Sequence, residues 1–175
     1  MIEESPFQET LSRLMRHARW SNARSLASLK QLMPAPPQNT VQLFAHVVTT
    51  EQLYLARMHG KDPFPQEFWP SLTLDQAATV AREVGDLLVA FVAERNESTL
   101  RKRVRYRNSQ GIYFDTPLDQ MLVHLALHGE HHRGQIARIV REAGGVMKMA
   151  FGSSRRSSRP WVTLSIRSAS AAVFI

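Results

Sequence analysis

Four of the chain's seven histidines fall within the nine residues from His124 to His132, in the stretch HLALHGEHHRGQI. Imidazole can act as a general base, a hydrogen-bonding partner or a metal ligand, and the spacing decides which chemistry is available. An α-helix turns about 100° per residue. With His124 set at zero, Leu118, Leu125, Ile136 and Ile139 fall between about 60° and 120°, the stripe that should face a core. His132 lands at about 80°, inside that stripe, and His128 at about 40°, on its edge. His124 lies nearer the border, and His131, at about 340°, points away. His128 and His132, four residues apart, therefore stack on one inward face. Two neighbouring buried imidazoles repel if charged, and need partners for every ring nitrogen if neutral. A divalent cation resolves that conflict by taking a lone pair from each.

A third ligand must come from another helix, and His46 is the candidate. It shares a helical face with Leu43, Thr50 and Tyr54. Three histidines with one position left open form the usual arrangement of a catalytic zinc site, where bound water is acidified to a pKa of about 7. Nickel, cobalt or iron would also suit imidazole nitrogen. The zincin protease signature is absent, because Gly129, Glu130 and His131 stand between the two histidines and Glu130 lies on the far side of the helix. Taken singly, a histidine is more often an ordinary polar residue. The weight here comes from the paired spacing and from His46.

The elements that must carry these residues read as four long helices. Residues 7–33 repeat apolar side chains at helical spacing, and PAPP at 34–37 ends that run. A second helix, capped by Asn39 or Thr40, is anchored by Leu43, Val47, Tyr54 and Met58 and stops at Gly60. KDPFPQEFWP, with Phe64, Phe68 and Trp69, reads as a loop that either covers the metal pocket or plugs one end of the bundle, with the plug favoured. A third helix begins at Thr73 or Asp75 and runs to about Asn96. Val104, Tyr106, Ile112 and Phe114 alternate around Asn108–Gly111, which predicts a short hairpin. Thr116 and Pro117 read as N-cap and first residue of the fourth helix, which ends at Gly144–Gly145. The expected fold is all-α: a four-helix bundle with a short β-hairpin between the third and fourth helices.

Composition narrows the class. With 175 residues, 43% of them hydrophobic, and no cysteine, the chain is expected to be one domain without disulfides or thiolate ligands. The cytoplasm is the expected compartment. No apolar run reaches about 18 residues, so no membrane span is expected, and the acidic, polar start does not read as a secretory signal. The net charge of +7 is uneven. From Lys148 onward there are five basic and no acidic residues, which leaves 17 basic against 15 acidic before it. Residues 1–146 read as the bundle and 147–175 as an atypical Ser/Arg-rich tail, expected to be poorly ordered. Its abrupt loss of acids suggests a frameshift, which resequencing of the coding DNA would test. Arg101, Lys102, Arg103, Arg105 and Arg107 form the dense basic cluster of the body. An ordinary solvated hairpin face is favoured over a phosphate site there, so nucleic acid is not the expected partner.

Four segments in order, LMRHARWSNARSLASL, LFAHVVTTEQLYLARMHG, VRYRNSQGIYFDTPL and HLALHGEHHRGQI, together resemble the DinB/YfiT-like superfamily of metal-binding four-helix bundles over about residues 7–146. The resemblance implies a divalent metal held by His46, His128 and His132, with His124 beside them. His124, Tyr54 and Arg133 are the expected supporting or pocket residues, with pairing to a carboxylate across the bundle or a solvated position favoured for Arg133. Trp20 is a further pocket candidate, with a place in the core favoured, and Gly134 is expected at a close helix contact. The resemblance also implies a dimer, and a reaction in which zinc or nickel activates a low-molecular-weight thiol or water against a small electrophilic substrate. The family usually follows the Gly-Gly pair with a proline and an aspartate, and this chain does not. A non-catalytic, metal-stabilised bundle and a stress-response interaction protein are the alternatives.

Overall fold

The structure, a computed structural model, describes residues 5–61, 63 and 69–146. The Ser/Arg-rich tail and most of the Pro-rich loop, including Phe64 and Phe68, lie outside the described residues. Helix α1 spans Pro6–Lys30, α2 Gln38–Met58, α3 Leu74–Ala93, the single turn α4 Glu97–Leu100, and α5 Leu118–Glu142. Strands β1 (Arg103–Arg107) and β2 (Tyr113–Pro117) form the antiparallel hairpin between α4 and α5. The fold is a four-helix bundle with one hairpin, as the sequence pattern predicts.

Local chemistry sets the boundaries. Ser5 caps α1 by accepting from the Gln8 amide, with Pro6 in the first turn. Thr73 and Gln76 close a reciprocal capping box on α3. Two starts differ from expectation. Pro37, not Asn39 or Thr40, is the N-cap of α2, and Pro117 is the N-cap of α5 while Thr116 belongs to β2. Proline lacks an N–H that a helix start would leave unpaired anyway, so it serves at either position. The third helix stops at Ala93, and Asn96 instead caps the extra turn α4. In the hairpin Tyr106 faces Phe114 and Val104 faces Thr116, and Ile112 belongs to the turn.

α1 packs along α3 and α5, and α2 packs along the same two helices, while α1 and α2 scarcely meet. The order around the bundle is therefore α1, α3, α2, α5, with the first two helices diagonally opposed. With neighbours 8–10 Å apart the diagonal is about 13 Å, and the connector 31–37 can reach about 24 Å. The topology thus puts α2 directly beside α5.

The apolar interior lies in two clusters. One holds Leu11, Met15, Leu55, Leu88, Phe91, Leu122 and Leu125. The other holds Leu29, Phe44, Val48, Ala77, Ile136 and Val140. Each fully buried Leu, Ile or Phe contributes about 1.5–3 kcal/mol. Outside both clusters, α1, α2 and α5 also bury polar side chains: Ser21, Asn22, Ser25, Thr50, Glu51 and Arg133. No described helix is long and apolar enough to cross a membrane.

Candidate metal centre

His46, on α2, is 7% exposed, and its Nε2 faces Nε2 of His128 on α5 at 3.1 Å. The His132 ring lies one turn further along α5. Its centroid is 4.9 Å from that of His46 and 4.6 Å from that of His128. One ring nitrogen from each of the three falls within 4.8 Å of the others, a grouping that could hold a metal ion. Nitrogens bound tetrahedrally at 2.0–2.1 Å stand about 3.3 Å apart, so the His46–His128 separation is close to that of a loaded site. Without a cation one of the two facing Nε2 atoms must carry a proton to satisfy the other.

Electrostatics favours a neutral ring at His128. Burial pushes the His128 imidazolium down to about 3, and the neighbouring His132, His46, His124 and His131 push in the same direction. His128 therefore offers a lone pair at neutral pH, the form a cation requires. Its Nδ1 is buried and has no hydrogen-bond partner among the described residues. His132 differs, because its Nδ1 lies 2.8 Å from Oε1 of Gln135. The residue types, the convergence and the charge state of His128 fit a divalent cation.

The centre opens onto a cavity of about 490 Å³. His46 and His128 form its inner wall, Thr50, Tyr54 and Arg57 come from α2, His124 and Gln120 from α5, and Tyr106, Asn108 and Phe114 from the hairpin. Tyr54 and His124 stack at 5.2 Å, and His124 in turn stacks on His128 at 5.9 Å. Burial, followed by the neighbouring Tyr106, pushes the Tyr54 phenol up to about 12, so it stays protonated. Burial and then Arg57 lower the pKa of His124. Arg57 is 2% exposed and donates from Nη2 to the Arg107 carbonyl at 2.6 Å. Its guanidinium lies 4.4 Å from the Tyr106 ring centre and fastens the hairpin over the cavity.

Arg133 is fully buried and turned to the polar layer of the interior; it does not line the cavity. Its Nη1 donates to Oδ1 of Asn22 at 2.7 Å, and Asn22 Nδ2 donates to both Glu51 oxygens at 2.8 and 3.1 Å. Arg133 Nη2 donates to Glu130, which also receives His17 Nε2. A Cβ on Gly129 would lie 2.6 Å from the Arg133 guanidinium, so this glycine makes room for it. Gly134, expected at a close helix contact, has nothing within 4 Å of such a Cβ.

Trp69 departs from the plug expected of its loop, and lies against the centre. Its indole stacks on His46 with centroids 4.1 Å apart and meets His132 edge-on at 6.4 Å. Trp20 sits beside His17 and lines no part of the cavity. The basic cluster is engaged locally. Arg101 pairs with Glu97, Arg103 with Asp115, and Arg105 lies over Tyr113. Sequence reasoning passed over the Gln135 contact and the Asn22–Glu51 pair. The second pair leaves a signal, since Asn22 and Glu51 occupy helical positions that otherwise take apolar residues.

Comparison with known proteins places the chain beside a sequence family and a solved structure. A sequence model described as the DinB family matches residues 8–155. Among solved structures, YfiT from Bacillus subtilis, described as "a probable metal-dependent hydrolase with an unusual four-helix bundle topology", superposes with a TM-score of 0.61. The likeness covers 82% of this chain and 92% of that one at 11% identity. No curated protein matches the chain.

Proposed function

The chain belongs to the DinB family, and from that premise we propose that it is a metal-dependent enzyme. It acts on a small electrophilic molecule with a thiol or water as nucleophile. The observation that carries this reading is the convergence of His46, His128 and His132, two of which, His46 and His128, line an open cavity. These three residues would hold one divalent cation, with zinc or nickel as the expected ion. A cation so held supplies Lewis acidity, which lowers the pKa of a bound thiol or water toward neutrality.

The protein's own residues provide the surroundings. His128 presents a neutral nitrogen because burial and the neighbouring histidines keep it unprotonated. Tyr54, protonated across the physiological range, supplies a hydroxyl donor to the cavity. The Tyr54–His124 and Tyr106–Phe114 stacks form flat apolar walls suited to a small organic molecule. Trp69 shields the opposite face of His46 from water. The description of YfiT as a probable metal-dependent hydrolase supports water as nucleophile. The open cavity equally admits a low-molecular-weight thiol.

The test is elemental analysis of protein purified without chelators. One divalent ion per chain is expected, with loss in the His128→Ala/His132→Ala double variant. Retention of the ion by that variant would sink the proposal. In a cobalt-substituted form, added thiol should alter the visible spectrum; an unchanged spectrum would mean a closed, structural site.

A further inference from the structure

We propose that Gln135 is a positioning residue that fixes the tautomer of His132, so that its Nε2 lone pair faces His46 and His128. The inference rests on the metal-centre reading and assigns a role to a residue outside the ligand set. The amide oxygen of Gln135 can only accept, so at 2.8 Å it requires His132 Nδ1 to carry the hydrogen. A neutral imidazole protonated on Nδ1 has its lone pair on Nε2, the nitrogen left for the cluster. The reverse amide orientation would present N–H to Nδ1. The ring proton would then move to Nε2 and be aimed at the space between the three histidines.

The other end of the amide is engaged as well in the orientation observed. Its Nε2 lies 3.2 Å from Nε2 of His131 and donates to that lone pair. Gln135 thus has its oxygen on one histidine and its nitrogen on the next, both one turn back on α5 (i−3 and i−4). His128 Nδ1 has no such partner among the described residues, whereas the ring of His132 is held by Gln135. An outer hydrogen bond of this kind orients a ligand ring and raises its basicity, and its loss typically weakens metal binding by about 10–100-fold.

The experiment uses the full chain in three forms: wild type, Gln135→Leu and Gln135→Glu. Leucine removes the acceptor. Glutamate keeps an oxygen facing Nδ1 and serves as the conservative rescue. Gln135 is only partly buried, so both variants should fold, and circular dichroism checks this. Long-range proton–nitrogen spectra of the metal-free protein report the His132 tautomer, assigned against His132→Ala. The expected result is the Nδ1–H form in wild type and Gln135→Glu, and a mixed or Nε2–H form in Gln135→Leu. Zinc affinity, by competition with a chromophoric chelator, should fall about 10–100-fold in Gln135→Leu and stay near wild type in Gln135→Glu. An unchanged tautomer in Gln135→Leu overturns the proposal, as does a changed tautomer with unchanged zinc affinity. If wild type binds no zinc, the metal-centre reading fails, and the tautomer measurement still decides the role of Gln135.

Discussion

The indole of Trp69 lies nearly parallel to the imidazole of His46, 13° between planes and 4.1 Å between centroids. An aromatic ring stacked on a ligand reports directly on what the ligand holds. Titration with cobalt should quench tryptophan emission and saturate at one equivalent. In Trp69→Phe most of that quenching should vanish while the binding stoichiometry stays the same. Quenching of undiminished amplitude in the variant would place the responsible indole elsewhere, at Trp20 or Trp161.

His124 and His128 separate pocket from ligand. His124 is exposed and stacks on its neighbours, and it is not among the three converging nitrogens. The His124→Ala variant should retain about one metal per chain, and His128→Ala should lose most of it. Elemental analysis of both, purified side by side, measures the difference; metal loss in His124→Ala would add a fourth residue to the centre.

Two glycines of α5 should respond in opposite directions to the same change. An added methyl at Gly134 meets nothing, so Gly134→Ala should stabilise by about 1 kcal/mol through helix propensity. At Gly129 the methyl meets the buried Arg133 guanidinium, so Gly129→Ala should destabilise by about 1–3 kcal/mol. Urea unfolding of both variants measures the sign.

How legible was this in the sequence? The helical wheel of residues 118–139 was enough to choose His128 and His132, because burial on a bundle helix follows one period. His46 followed from its own face on α2. The sequence leaves the place of Trp69 between two readings, pocket cover and end plug, because a Pro-rich loop has no period and nothing local says which way its side chains turn. The Gln135 contact was hidden because i,i+3 spacing permits a hydrogen bond without requiring one. The diagonal placement of α1 and α2 was also hidden. A seven-residue connector reaches either an adjacent or an opposite helix, and the choice is made by packing across the whole bundle.

Glu51 gives the stability of the metal-free protein a recognisable pH dependence. Burial raises its carboxyl from the usual 4.5 to about 7, against the opposing pull of Arg133 and Asn22. The folded state therefore holds a proton that the unfolded state releases between those values. The associated stability is full below about 4.5 and is lost as pH rises through about 7. Glu51→Gln lacks this loss. Its stability relative to wild type should rise between pH 4.5 and 7.5 by on the order of 3 kcal/mol. His128 acts oppositely, losing stability as pH falls from 6.5 toward 3, but it is common to both proteins and cancels in the difference. Urea titrations at several pH values in chelator would check it; a difference independent of pH would mean that Glu51 is ionised throughout.

The separation of 82 residues between His46 and His128 orders events on the ribosome. At 5–20 residues per second, His46 emerges about 4–16 s before His128. An ion met during that interval finds a solitary imidazole and is readily released. Capture must wait for α5 to dock, so a tightly held ion would certify that the four long helices had all been made and had assembled.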